Sequence, residues 1–238
     1  MRKLLFALAA PLLLLQGKRV RKQTVRLPEP PGARHGAREG DEPALQLLLL
    51  GDSAIAGVGC QTQEDAVAGQ WVALTPAERA LRWQLIAKSS LTCAGVLALL
   101  QEHEVYVKAP DAVLVSVGVN DVTRRTSITQ WRCDLEQLTQ YLTEQLHAKQ
   151  IIYTALPPMH KFPALPQPLR WFVGQQAFEL NHHLAEHCQT HTNTELLNFD
   201  LPYEPEYIAA DGYHPSAQAA AIWAKAAAEK LGVTKIDS

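Results

Sequence analysis

Cysteine is scarce: Cys60, Cys93, Cys133 and Cys188 are scattered, with no CxxC pair and no metal-type spacing. That excludes a zinc-ribbon cluster and a dithiol redox motif, and the four read as free, mostly buried thiols. No apolar run reaches the roughly 20 residues that a bilayer-spanning helix needs. Internal repeats are absent, which excludes a solenoid or a propeller. Charge is sparse, with 19% charged residues against 47% hydrophobic ones, the balance of a globular chain rather than a disordered one. The net charge of −2 is unevenly spread: residues 1–42 carry +5 and the remainder −7. An acidic body gives no reason to expect a nucleic acid as partner or substrate.

What is present begins with a basic N-terminal tail. Met1-Arg2-Lys3 precedes LLFALAAPLLLL, and KRVRK follows at 18–22. The apolar run is signal-like in length, but a basic cluster directly after it is unusual for a cleaved signal. Residues 1–17 therefore read as an uncleaved anchor, inserted or lying in the interface, with the basic cluster and Arg26 against anionic headgroups. The slight excess of bases on its C-terminal side leans the body towards the cytoplasm. Export to the periplasm or medium is the alternative. Residues 18–43, rich in Pro, Gly and basic residues, read as a linker, and deletion of residues 1–42 should release a soluble, active body. The domain is expected over 44–235.

Short apolar runs at 45–50, 81–87, 112–117, 151–156 and 195–199 alternate with helical patterns. Alternation of this kind predicts a parallel sheet covered on both faces. With right-handed crossovers, five strands give a flavodoxin-like three-layer α/β/α sandwich. The run Leu45–Leu50 ends at Gly51-Asp52-Ser53, which places Ser53 where open α/β sheets bind ligands. The third strand ends likewise at Gly118-Val119-Asn120-Asp121. There Asn120 suits either an oxyanion donor or a helix N-cap. Asp211-Gly212-Tyr213-His214-Pro215 precedes the last helix, with Pro215 expected at its first position. Asp211 can fold back onto His214, which supplies a base and its orienter in one turn.

Taken together, these three loops resemble the conserved blocks of the SGNH hydrolases, the GDSL esterase/lipase family. The resemblance covers the body and not the tail. It implies the SGNH hydrolase fold and a serine esterase or lipase that cleaves carboxylic esters through an acyl-enzyme. It implies Ser53 as nucleophile, His214 as base, Asp211 as its orienter, and an oxyanion hole built from Ser53, Ser90 and Asn120. Ser90 departs from the family pattern, since Ser89-Ser90-Leu91-Thr92 stands where the family has Ser-Gly-x-Thr. Gly95 is the less favoured alternative donor. The chemistry needs neither metal nor cofactor. The anchor and the apolar segment 156–174 tilt the expected substrate towards lipid-like or acyl esters such as lysophospholipids, with carbohydrate O-acetyl esters as the alternative. A catalytically weak, membrane-tethered binding protein of the same fold is a further alternative.

Two features lie outside these blocks. His183, His187 and His191 share one helical face by their i, i+4 spacing, which fits either a transition metal or, as favoured here, the wet flank of an apolar stripe. The proline-rich segment 156–174 suits either an acyl-pocket wall or a crossover packed on the core.

Overall fold

A computed structural model describes residues 2–232 apart from Tyr203, with side chains from residue 9 onward. The predicted domain end at 235 lies outside the described residues. Helix α1 (Arg2–Gln23) opens the chain. Strands β1 (His35–Arg38), β2 (Asp41–Gly51), β3 (Arg79–Ala87), β4 (Ala112–Ser116), β5 (Ile151–Thr154) and β6 (Thr194–Leu197) form one sheet in the order β1-β3-β2-β4-β5-β6. Helices α2 (Val67–Leu74), α3 (Cys93–Glu102), α4 (Val119–Arg124), α5 (Ile128–Gln140), α6 (Leu169–Thr190) and α7 (Ala217–Leu231) accompany it.

The five parallel strands β2 to β6 have the flavodoxin-like order, but the sheet has six strands and not the five expected. The addition is β1, which pairs antiparallel with β3 at the edge. It falls inside the predicted linker. Its sequence, HGAR, is half-exposed and has no apolar alternation. Backbone pairing and Arg38 hold it instead: the guanidinium donates to Thr75 Oγ1 and to the carbonyls of Pro76 and Arg79. The folded body therefore starts before residue 44.

Strand β2 is buried on both faces because it is central. Leu48 and Leu50 point to a layer built with Val113, Val115 and Tyr153 and with Trp131 and Leu135 of α5. Leu45, Leu47 and Leu49 point to the other layer, with Trp71 of α2 and Trp223 of α7. Each such large apolar side chain contributes about 1.5–3 kcal/mol when fully buried. The register sets Gly51 beside Ala87 of β3 and beside Ser116 of β4. The loops after these three strands thus emerge side by side at one sheet edge.

The segment between α1 and β1 is not a free tether. The Gln63 backbone N–H donates to the Pro31 carbonyl at 2.9 Å, and the Leu85 N–H to the Arg34 carbonyl at 2.6 Å. Glu29 and Arg34 pair at 3.0 Å, and Arg34 also donates to the Ala87 carbonyl. Deletion of 1–42 therefore strips an edge strand and a strap from the sheet, and not only a free linker. A chain that starts at residue 28 is expected to unfold cooperatively near the full-length Tm. One that starts at residue 43 is expected to lose stability by several degrees or more. Calorimetry of the two truncations checks this, and equal Tm values would refute it.

The segment 156–174 is mainly a packed crossover. Leu156, Met159, Phe162 and Leu165 are buried, while Trp171 stays 41% exposed. Phe162 meets Tyr213 edge-to-face at 5.8 Å, so the crossover props the loop that carries His214.

Candidate active site

Ser53 follows β2 after a turn that only glycine permits at Gly51: φ is +153°, and an added Cβ would lie 2.1 Å from the Ser116 carbonyl oxygen. At Gly59 an added Cβ would lie 2.4 Å from the Pro215 carbonyl oxygen, so this glycine lets the Ser53 loop close against the His214 loop. Across that contact Ser53 Oγ–H donates to His214 Nε2 at 2.7 Å. His214 Nδ1–H donates to Asp211 Oδ2 at 2.5 Å. The other Asp211 oxygen accepts the backbone N–H groups of Tyr213 and His214 at 3.0 and 3.1 Å. Burial alone would raise the Asp211 carboxyl, but these hydrogen bonds outweigh it and hold the group below its ordinary value. It stays ionised and fixes the imidazole in the tautomer that accepts from Ser53. Pro215 sits before the helix and not at its first position, because Ser216 is the N-cap of α7 and accepts from the Ala219 N–H.

Asn120 is not the cap of the long helix α5. It lies in the first turn of the short α4, and Ser127 caps α5. Its side-chain Nδ2 donates to Asp52 Oδ2 at 3.1 Å. This leaves the second amide hydrogen for a ligand. Asp52, buried beneath it, also accepts from the Ala54 N–H at 3.1 Å. Burial pushes the Asp52 carboxyl up to about 6, against the pull of the Ala54 hydrogen bond and of the nearby His214.

A charge held there costs stability. The unfolded carboxyl ionises near its ordinary value of 3.8, whereas the folded one keeps its proton to about 6. Stability from this group therefore falls as pH rises from about 4 to 6 and is constant above that. The penalty is of order 3 kcal/mol at neutral pH, and loss of one hydrogen bond offsets about 1 kcal/mol when Asn replaces Asp. Asp52→Asn is expected to raise Tm at pH 7.5 by about 4–8 °C, with the gap shrinking towards pH 4. Calorimetry at both pH values measures it.

Ser90 occupies the loop beside this pair, with φ at +69°, the left-handed region that glycine prefers. The expected cost of a serine there is about 1–2 kcal/mol. Ser90→Gly is accordingly expected to raise stability in urea by about 0.5–1 kcal/mol, the strain relief less the added entropy of the unfolded chain. Destabilisation in Ser90→Gly would refute the strain. Gly95 lies inside α3, its N–H given to the Thr92 hydroxyl that caps the helix. Among the described residues, no group of the chain accepts a hydrogen bond from the backbone N–H of Ser53 or of Ser90.

Three supports of this loop were not read from the sequence. Glu29 Oε1 accepts both the N–H and the hydroxyl of Ser89 at 2.7 Å. Its burial favours the neutral form, but Ser89 and Arg34 outweigh that and hold it ionised. Arg124 donates to the Ser90 carbonyl at 2.9 Å. Asp121, fully buried, accepts the Cys93 N–H at 3.0 Å and the Thr126 hydroxyl at 3.0 Å, which ties the start of α3 to α4. The acid after Asn120 was the one available signal. Nothing in the sequence links Glu29 to a loop 60 residues away.

The three histidines expected on one helical face, His183 and His187 of α6 and its C-cap His191, part company. His183 pairs with Glu186 at 2.8 Å, whereas His187 and His191 face Glu136 of α5.

The sequence profile of the GDSL-like lipase/acylhydrolase family matches residues 49–222. A GDSL-like esterase of Mycobacterium tuberculosis is 27% identical over 187 residues, 75% of this chain, and the aligned region spans 59% of that relative's length. A lipase from a goat rumen metagenome superposes with a TM-score of 0.60 at 18% identity, over 82% of this chain and 100% of that one. An acetyl xylan esterase from Geobacillus stearothermophilus gives a TM-score of 0.56 at 23% identity, over 82% of this chain and 98% of the other. Both likenesses are likenesses of fold.

Proposed function

The chain belongs to the GDSL-like lipase/acylhydrolase family, and on that premise we propose that it is a serine hydrolase of carboxylic esters. The observation that carries the reading is the continuous line from Asp211 through His214 to Ser53 Oγ, closed at 2.7 Å. Ser53 Oγ attacks the ester carbonyl carbon while His214 Nε2 takes its proton. The carbonyl oxygen becomes an oxyanion, met by the N–H groups of Ser53 and Ser90 and by the Asn120 amide. Collapse breaks the bond to the alcohol, which leaves with the proton from His214. Water then repeats the sequence on the acyl-enzyme, giving the acid and restoring Ser53. A fluorophosphonate probe tests this: covalent labelling confined to Ser53 supports it, and a folded protein that resists the probe refutes it.

Lipid-like acyl esters are the favoured substrates, and α1 is the reason. Its Gln16 side chain bridges the Gln167 carbonyl and the Leu169 N–H, so the helix docks at the start of α6. Leu13 is buried there, while Leu12, Leu14 and Leu15 remain exposed, as does Trp171 of α6. No helix among the described residues is long and apolar enough to cross a membrane. An interfacial contact, with Lys18, Arg19, Arg21 and Lys22 towards anionic lipid, suits this pattern better than a span. Sedimentation with anionic vesicles, lost in a chain that starts at residue 28, is the expected result. A carbohydrate O-acetyl ester is the second reading, favoured by the fold shared with the acetyl xylan esterase. An ester panel separates them: activity on acetyl esters that vanishes with acyl length would replace the lipid reading.

A further inference from the structure

Helix α6 runs from the Ser53 edge of the sheet back to the start of β6, so its last turn lies at the opposite edge. There His187 and His191 meet Glu136 of the neighbouring α5. The Glu136 carboxylate lies 3.3 Å from His191 Nε2 and 3.9 Å from His187 Nδ1, and the three ligand atoms all fall within 4.8 Å of one another. In a tetrahedral site with bonds of about 2.0–2.1 Å, ligand atoms stand about 3.3 Å apart. The His191–Glu136 separation is therefore that of a filled site, and the His187–Glu136 separation is about 0.6 Å wider.

The remaining imidazole nitrogens are already engaged elsewhere. His187 Nε2 lies 2.7 Å from Thr139 Oγ1, which in turn meets the buried Tyr153 hydroxyl at 2.8 Å. His191 Nδ1 lies 3.0 Å from the His187 carbonyl, one helical turn back. Outer partners of this kind are what orient a ligating histidine and select the nitrogen left for a metal. The His187 side chain is 8% exposed and that of His191 25%, so both rings are held in place, while Glu136 is the solvent-facing member at 59%. Arg132, one turn before Glu136 on α5, is the nearby cation acting on His187. An ordinary ion pair would use Glu136 with one histidine. It gives no reason for two imidazoles, 4.3 Å apart by centroid, to turn their unengaged nitrogens towards the same carboxylate.

We propose that Glu136, His187 and His191 form a binding site for a borderline divalent transition metal such as zinc, which clips α5 to α6 at the edge away from Ser53. Two imidazoles and one carboxylate suit zinc, cobalt or nickel, and leave coordination positions for water. The all-oxygen preference of calcium and magnesium does not fit this donor set.

The test uses the full chain stripped with chelator and then titrated with Zn²⁺ by calorimetry. One ion per chain is expected, with a rise in Tm on loading. Glu136→Gln and His191→Gln, both at solvent-accessible positions, should each weaken the affinity at least about tenfold. His183→Gln, which removes a histidine of the same helix outside the cluster, should leave it unchanged. Co²⁺ should give visible absorption bands that disappear in Glu136→Gln. Zn²⁺ affinity equal in wild type and in both cluster variants, or a Tm indifferent to Zn²⁺, would overturn the proposal.

Discussion

Ser53→Ala is expected to abolish ester hydrolysis and fluorophosphonate labelling and to leave the unfolding curve almost unchanged. The hydroxyl is partly exposed and bonds the His214 ring, so its loss creates no buried void. What it removes is the atom that carries the acyl group. His214→Ala should cost kcat roughly as much, on the order of 10⁴–10⁶-fold, because nucleophile and base act as a unit and the first loss forfeits the whole. Asp211→Asn should cost up to about 10⁴-fold by a different route. An amide at this position would present its NH₂ to Nδ1 and favour the wrong tautomer, so Nε2 would no longer accept from Ser53. Asp211→Asn should also lose fold stability at neutral pH, since the ionised carboxylate is held by three hydrogen bonds. That stabilising share is present above the ordinary carboxylate pKa and fades as pH falls through the lowered folded value. Hydrolysis of one chromogenic ester by the three variants, with Tm alongside, checks the set. Normal kcat in His214→Ala would remove the base from the proposal.

The residues that were legible in advance are those whose chemistry is local. A buried central strand must be apolar on both faces, so Leu45–Leu50 announces itself. A nucleophile at its end needs glycine before it, and the base and its orienter need only one short turn. The sheet order followed because right-handed crossovers leave few choices. β1 was hidden because His35–Arg38 buries almost no apolar surface and is held by backbone pairing and Arg38, which no periodicity records. Its surroundings of proline and glycine pointed to a linker for the same reason. Glu29 was hidden because its partner Ser89 is distant in sequence and adjacent only through the β1–β3 pairing. The Asn120 helix was missed because α4 has six residues, too few to show a period. Ser90 was legible as a departure, and its positive φ came into view only with the backbone.

Asn120→Ala is expected to lower kcat by roughly 10²–10³-fold, the loss of about 3–4 kcal/mol that follows removal of one preorganised oxyanion donor. Preorganisation is what the Asp52 contact provides. With one amide hydrogen fixed on Asp52 Oδ2, the other is aimed before the substrate arrives and no reorientation is needed as charge develops. The buried Asp52 charge is the stability cost of that aim, which is why Asp52→Asn should gain Tm while it loses part of the Asn120 effect. Ser90→Ala, in contrast, keeps its N–H and should retain most activity. Its exposed hydroxyl bonds no group among the described residues, and Glu29 and Arg124 hold the loop through Ser89 and the Ser90 carbonyl. The double variant Asp52→Asn, Asn120→Ala should be no slower than Asn120→Ala alone, because Asp52 acts on the oxyanion through that amide. Rates that multiply in the double variant would show Asp52 acting independently. A large loss in Ser90→Ala with near-normal Asn120→Ala would move the oxyanion hole away from Asn120 altogether.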